Sequence, residues 1–119
     1  MKKNKKIAVI TGTRADFGLM TTILSAIEKS KMLDLKLYVT GMHLMPKHGK
    51  TVAEVKKLFP KAVEVEAIFE NDERSAAAKF ISILINKMVD VFKKDRPDFV
   101  LILGDRPEML SVALVCLYL

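Results

Sequence analysis

The chain has 119 residues, of which 50% are hydrophobic, and its formal net charge is +6. This size and apolar content predict one domain with a packed core, and they exclude two complete domains and wholesale disorder. The single cysteine, Cys116, excludes an intrachain disulfide, and no apolar run approaches the roughly 20 residues of a membrane span. From these two features we expect a soluble cytoplasmic protein without a membrane partner. Because the basic residues are not interleaved with aromatic ones, we expect no binding of nucleic acid.

The first half of the chain predicts a basic arm and then a regular alternation of elements. Lys2, Lys3, Lys5 and Lys6 are expected to form a solvated arm before the first strand. Hydrophobic periodicity and turn residues mark the elements after this arm. The expected elements are a strand over 7–10, a turn over 11–18, a helix from residue 19, a strand over 35–39 and an irregular stretch over 42–49.

The second half continues the alternation of helices and strands. The expected elements are a helix over 51–58, a strand over 62–68, the longest helix of the chain and a strand over 99–103. Asn71 or Asp72 is expected to cap the long helix, and Arg96 with Pro97 to end it. The unbroken apolar run that starts at Val100 is typical of a strand buried on both faces.

This order of elements predicts the α/β fold class, as a Rossmann-like parallel sheet of about four strands with helices on both faces. Residues 109–119 are apolar almost all round, which an exposed terminal helix is not. We therefore expect further chain or a partner to cover them, and we interpret residues 1–119 as the front part of a larger, homo-oligomeric protein.

Charged side chains come after three of the predicted strands. Arg14 and Asp16 come after the first strand, His43 after the second, and Asp105 with its neighbours after the last. In an open parallel sheet, ligands bind at this carboxyl edge. Backbone N–H groups at the start of the first helix favour an anion there, and Arg14 could add a forked charge for phosphate or carboxylate.

Some of these residues also have purely structural interpretations. Asp105 and Glu108 have the spacing of a capping box, and Arg106 is an alternative helix cap because the residue before Pro107 avoids helical angles. Both the capping and the catalytic interpretations stay open on spacing alone. No second ligand stands at metal-binding spacing from His43, so no metal site is predicted. Cys116 is expected to be a buried small hydrophobe rather than a nucleophile.

Three segments carry a resemblance to a known family. They are Thr11-Gly-Thr-Arg-Ala-Asp-Phe-Gly18, Thr40-Gly-Met-His-Leu44 with Gly49 and Thr51 behind it, and Leu103-Gly-Asp-Arg-Pro-Glu108. In this order they resemble the amino-terminal part of the UDP-N-acetylglucosamine 2-epimerases, especially the hydrolysing branch of sialic acid biosynthesis. Members of this family have two Rossmann-like domains in a GT-B-like arrangement. The resemblance therefore implies a partial amino-terminal domain over 1–119, with the second nucleotide-binding domain absent.

The resemblance also implies a reaction and a set of roles. A base removes the proton at sugar C2 while UDP leaves from C1, and water then adds to give N-acetylmannosamine and UDP, without a cofactor. Asp105 is implied as the acid/base residue, and Arg14, His43, Arg106 and Glu108 as substrate-binding residues. The 119 residues alone are implied to be inactive. Two alternatives are the amino-terminal domain of a GT-B glycosyltransferase that uses a UDP-sugar, and a non-enzymatic βα nucleotide-binding module.

Overall fold

A computed structural model describes residues 3–119 as one parallel sheet covered by helices. The elements are β1 (Lys5–Thr11), α1 (Arg14–Lys29), β2 (Leu33–Val39), two 3-10 turns (Gly41–Leu44 and Pro46–His48), α2 (Val52–Leu58), β3 (Val63–Glu64), α3 (Arg74–Asp95), β4 (Phe99–Leu101) and α4 (Pro107–Tyr118). Lys5 and Lys6 open β1, so the predicted arm is wrong for these two lysines. Lys2 lies outside the described residues.

The strand order determines which turns can meet. The sheet has four strands in the order β3-β2-β1-β4, and every pairing is parallel. Val9 of β1 lies between Leu37 of β2 and Leu101 of β4. The predicted Rossmann-like sheet of four strands is confirmed. Because β1 is central, the turns after β1, β2 and β4 all leave the same edge of the sheet as near neighbours.

Alternate residues of the strands feed two separate cores. Val9 and its strand neighbours on the same face pack against α1 and α2, where Phe17, Leu24 and Val55 are buried. Ala8, on the other face, belongs to the core that α3 and α4 cover. This alternation follows from the two-residue period of a strand. The predicted covering of both faces by helices is therefore confirmed.

The strand β4 differs from its prediction. It ends at Leu101 rather than at residue 103, and Phe99 is 56% exposed. Within the described residues β4 pairs with β1 alone, so it forms an edge of the sheet. An edge strand has no neighbour on one side. The prediction of a strand buried on both faces is wrong for this reason.

The third strand is also shorter than predicted, although the chain stays extended beyond it. β3 contains only Val63 and Glu64. The Val65 N–H then donates to the Val39 carbonyl at 2.8 Å, and the Gly41 N–H donates to the Ala67 carbonyl at 2.9 Å. These two bonds tie the extended segment to the end of β2, and the second of them holds the turn that begins at Gly41.

Helix boundaries differ from the prediction where capping differs from expectation. α1 begins at Arg14, inside the predicted turn, because Thr13 caps it. Glu73 is the N-cap of α3, while the Asn71 side chain accepts a hydrogen bond from the Glu73 N–H at 2.8 Å. The predicted caps at Asn71 and Asp72 are therefore wrong.

α3 is the longest element, with 22 residues, and ends before Arg96 as predicted. Residues 42–49, expected to be irregular, form most of the two 3-10 turns.

The last helix presents one face to the core. Met109, Val112 and Val115 of α4 are buried in the core shared with α3. Cys116 is exposed, so the prediction of a buried cysteine is wrong, because only one stripe of α4 has a neighbour within residues 3–119. Partial desolvation still raises the pKa of its thiol, which does not favour a nucleophile. None of the described helices is both long and apolar enough to span a bilayer.

Candidate functional site at the carboxyl edge of the sheet

The turn after β1 is built around the carboxylate of Asp16. Thr13 and Asp16 form a capping box, in which the Asp16 N–H donates to Thr13 Oγ1 at 3.1 Å. Asp16 Oδ2 accepts from the N–H of Gly12 at 3.1 Å and from the N–H of Thr13 at 3.0 Å. These are amides that we expected to favour a bound anion. The anion that they hold in this structure is the Asp16 side chain of the same turn.

His43 is fully buried beside this turn and bonded through both ring nitrogens. Nε2 lies 2.8 Å from Thr11 Oγ1, and Nδ1 lies 2.7 Å from Thr51 Oγ1. Thr11 donates its hydroxyl proton to the Asp16 carboxylate, which can only accept. His43 Nε2 must then be the donor to Thr11. In the neutral ring, the proton therefore lies on Nε2, and Nδ1 accepts from Thr51.

The electrostatics of His43 favour the same neutral form. Burial lowers the pKa of His43 below its ordinary value of 6.5, and the charges of Asp16 and Glu54 oppose this effect without overcoming it. The ring of Phe17 packs edge-on against the imidazole, with the ring centres 6.2 Å apart. His43 is therefore a neutral link between three segments of the chain, which are the end of β1, the first 3-10 turn and the start of α2.

Glu108 is another fully buried polar residue at this edge. Its Oε2 accepts from Arg106 Nε at 2.9 Å, and its Oε1 accepts from Arg106 Nη2 at 3.1 Å. This is a bidentate pair between a carboxylate and a guanidinium. The Arg106 side chain is 33% exposed, so the pair joins a buried carboxylate to a group that reaches the surface.

Two glycines make room for the Glu108 carboxylate. A Cβ atom on Gly12 would lie only 2.4 Å from Glu108 Cδ, and a Cβ atom on Gly41 would lie 3.2 Å from Glu108 Oε1. Gly41 also has a φ of +64°, a left-handed backbone conformation that favours glycine. Glu108 therefore fills a slot between the turns after β1 and β2, and any side chain at position 12 would close that slot.

Asp105 and Arg14 lie outside these buried contacts. Asp105 is exposed, comes directly after Gly104 in the turn between β4 and α4, and has no hydrogen bond or ion pair within the described residues. Arg106, not Asp105, is the N-cap of α4, so the capping-box interpretation is wrong and the alternative cap is confirmed. Arg14 is exposed and its Nε lies 3.3 Å from Glu54 Oε2 on α2.

The structure thus places His43, Arg106 and Glu108 at the same edge of the sheet. Asp105 and Arg14 also follow strands at this edge, but their side chains are exposed. Sequence reasoning missed the supporting roles of Thr11, Asp16 and Thr51. The spacing of Thr13 and Asp16 is a capping-box signal that could have revealed one of them. Within residues 3–119, no three His, Cys, Asp or Glu side chains converge as metal ligands.

The fold is that of a Rossmann-like α/β domain. Its buried polar groups lie at the carboxyl edge of the sheet, where nucleotides bind in such folds. The family model described as UDP-N-acetylglucosamine 2-epimerase matches residues 25–119. The chain belongs to this family, as the resemblance predicted.

Two curated relatives cover nearly all of the chain. It is 38% identical over 113 residues to the GDP/UDP-N,N'-diacetylbacillosamine 2-epimerase (hydrolyzing) of Campylobacter jejuni, which is 95% of this chain and 29% of the relative. It is 40% identical over 116 residues to the UDP-N,N'-diacetylbacillosamine 2-epimerase (hydrolyzing) of Legionella pneumophila, which is 97% of this chain and 31% of the relative. The chain therefore spans about three tenths of the length of these relatives.

Solved structures agree on the fold. The UDP-GlcNAc 2-epimerase of Neisseria meningitidis, solved with UDP-GlcNAc bound, superposes with a TM-score of 0.74 at 21% identity, over 95% of this chain and 29% of that one. A second UDP-N-acetylglucosamine 2-epimerase superposes with a TM-score of 0.78 at 23% identity, over 98% of this chain and 31% of the other. These likenesses confirm the predicted fold class, a part of a GT-B-like architecture.

The Glu108 slot makes a prediction about stability. We expect Gly12→Ala to lower the free energy of unfolding by roughly 1–3 kcal/mol, because the new methyl group must displace a buried carboxylate or the turn itself. Urea unfolding monitored by circular dichroism measures this change.

Gly18→Ala is the matched control for this substitution. Gly18 lies within α1, and a Cβ atom there meets nothing within 4 Å. This variant should be more stable than the wild type by about 0.5–1 kcal/mol, as for alanine replacing glycine in a helix. Equal stability of the Gly12→Ala and wild-type chains would show that the slot is not tightly packed.

The lowered pKa of His43 predicts a pH-dependent stability. Below pH about 6.5 the unfolded chain binds a proton at this residue that the folded chain resists. The contribution of His43 is therefore complete above this pH and is lost as the pH falls through it. We expect the thermal midpoint to drop as the pH falls below about 6.5, and His43→Gln to remove part of that drop.

His48→Gln serves as the control, because His48 is exposed and lies outside the network. It should retain the wild-type slope of thermal midpoint against pH. An unchanged slope in His43→Gln would contradict the assignment of this effect to the buried imidazole.

Proposed function

We propose that the protein containing this chain is a hydrolysing UDP-N-acetylglucosamine 2-epimerase, which forms N-acetylmannosamine and UDP, and that residues 3–119 supply one wall of its active site. The observation that carries this proposal is the contact among the three segments that resemble the family. Glu108 of the third segment lies against Gly12 of the first and Gly41 of the second. The three segments therefore meet at the edge where ligands bind in sheets of this kind, as a shared active site requires.

Asp105 is our candidate for proton transfer at sugar C2. It is exposed at the carboxyl end of β4 and is not engaged by any neighbour within the described residues, so its carboxylate is available to a substrate. In the reaction, the base takes the C2 proton as the bond from C1 to the UDP oxygen breaks and UDP leaves with the electron pair. Water then adds to the unsaturated sugar to give the epimeric free sugar.

The cationic and buried residues would support this step in different ways. Arg106 and Arg14 are accessible guanidinium groups that can meet the negative charge of a departing diphosphate. His43 and Glu108 are fully buried and bonded within the chain. We therefore propose that these two shape the site through Thr11, Thr51 and Arg106 rather than by contacting the substrate.

A second candidate substrate has specific support. The Campylobacter and Legionella relatives are both named as hydrolysing 2-epimerases of nucleotide-linked N,N'-diacetylbacillosamine. This sugar would undergo the same elimination at C1 and C2, so Asp105 and Arg106 would keep their roles. The sialic acid pathway is supported by a 32% identical Escherichia coli relative named as a polysialic acid biosynthesis protein. Assaying both nucleotide sugars separates the two substrates.

We also propose that the protein is cytoplasmic and self-associates through the outer face of α4. The single cysteine is unpaired, which suits a reducing compartment. Leu110, Leu117 and Tyr118 on α4 are exposed, and such apolar groups are typical of a covered surface. Light scattering of the chain should show an oligomer that Leu117→Glu weakens, whereas a wild-type monomer at high concentration would contradict the proposal.

A chimera tests the catalytic proposal. The matched region of the Legionella relative can be replaced by this chain, because the two are 40% identical there. We expect the chimera to release UDP and a free 2-epimeric sugar without any acceptor, and Asp105→Asn to lower kcat by roughly 10²–10⁴-fold. UDP release by coupled assay and identification of the sugar by chromatography measure both results.

Asp90→Asn is the matched control, since Asp90 is an exposed aspartate on α3 away from the carboxyl edge. Its kcat should equal that of the chimera, and the 119-residue chain alone should release no UDP. A requirement for an acceptor sugar would favour the glycosyltransferase alternative, and binding without turnover would favour the nucleotide-binding module. Full activity of Asp105→Asn would refute the role of this carboxylate.

A further inference from the structure

Glu108 and Arg106 form an ion pair in which the carboxylate is fully buried and the guanidinium is partly exposed. Glu108 is 0% exposed, and both of its carboxylate oxygens accept hydrogen bonds from one guanidinium group. A buried ion pair is weak evidence for stability, because apolar residues of similar volume often stabilise a protein equally well. The presence of a charged pair at the ligand-binding edge therefore points to a role in the site rather than in folding.

The surroundings of Glu108 fix its position closely. Its carboxylate is held between Gly12 and Gly41, in a slot that closes if either residue gains a bulky side chain. Both glycines belong to turns that come directly after strands of the sheet. The carboxylate is thus held by turns that the sheet positions, and the guanidinium group that it binds is held in turn.

Arg106 is held by one edge and free at the other. Nε and Nη2 face Glu108, and Nη2 also lies 3.9 Å from Met42 Sδ. Nη1 has no partner within residues 3–119 and is not among the buried unpaired atoms, so it reaches solvent. A guanidinium group that is fixed in this way presents its remaining N–H donors in a set direction, which matches a phosphate oxygen.

We propose that Glu108 is a positioning residue that holds the guanidinium of Arg106 so that its Nη1 edge meets a phosphate of a nucleoside diphosphate. The inference rests on the proposed function, which supplies UDP as the ligand. A positioning role and a purely electrostatic role of Glu108 predict opposite effects on anion binding. Removing the negative charge of Glu108 makes the pair more positive, so charge alone would strengthen anion binding. Loss of orientation would weaken it.

Glu108→Gln in the chimera with the Legionella relative distinguishes these two effects. Glutamine keeps the volume of the side chain but cannot accept from both Arg106 donors. We expect the affinity for UDP to fall about tenfold, which corresponds to about 1.4 kcal/mol. NMR titration that tracks the Arg106 Nε–Hε signal measures the affinity, and this signal should also exchange faster with solvent in the variant. Uridine, which lacks phosphate, should leave the signal unmoved in both proteins.

Glu28→Gln is the matched control, an exposed glutamate on α1 whose replacement should leave UDP affinity unchanged. Unchanged or tighter UDP binding by Glu108→Gln would overturn the proposal. Should this variant fail to fold, the unsubstituted chimera decides alone, because an Arg106 signal that UDP does not shift would also overturn the proposal. Failure of the proposed reaction would instead appear as full activity of Asp105→Asn in the chimera, so the two results are independent.

Discussion

The contact between the Glu108 carboxylate and the two glycine turns is the constraint on which this edge of the molecule depends. Gly12 comes after β1, Gly41 after β2, and Glu108 lies in the first turn of the helix after β4. A slot that admits a carboxylate but no extra methyl group joins these three segments in one arrangement. Because the strands are parallel and β1 lies between β2 and β4, the turns after these three strands leave the sheet side by side.

The hydrogen-bond network around His43 also joins separate segments of the chain. Asp16 uses its carboxylate to close the turn after β1 and to receive the Thr11 proton, and His43 then connects Thr11 to Thr51. Each hydroxyl and each ring nitrogen has a partner, so the buried polar groups are satisfied. A buried polar group without a partner would be costly, which favours one defined tautomer of the neutral imidazole.

Local patterns predicted the fold well and the site only in part. The apolar periodicity of α3 and the alternation in β2 were sufficient to assign both elements, because one face of each is buried against a core. Periodicity could not show that β4 lies at an edge, since edge position depends on which strands neighbour it. Likewise, Thr51 has no local signal, because its bond to His43 depends on the folding of two intervening turns.

The buried residues at this edge support its geometry, whereas the exposed residues are accessible to a ligand. Glu108, His43 and Asp16 are buried and bonded to their own chain, so changing them alters both the packing and the geometry of the edge. Asp105 is exposed and unengaged within the described residues, so its carboxylate can change without disturbing the fold. A catalytic group must be free to meet a substrate, whereas the groups that orient it must be fixed. Arg106 belongs to both sets, since Glu108 holds one edge of its guanidinium and the other edge reaches solvent, in a direction that the turns of the sheet determine.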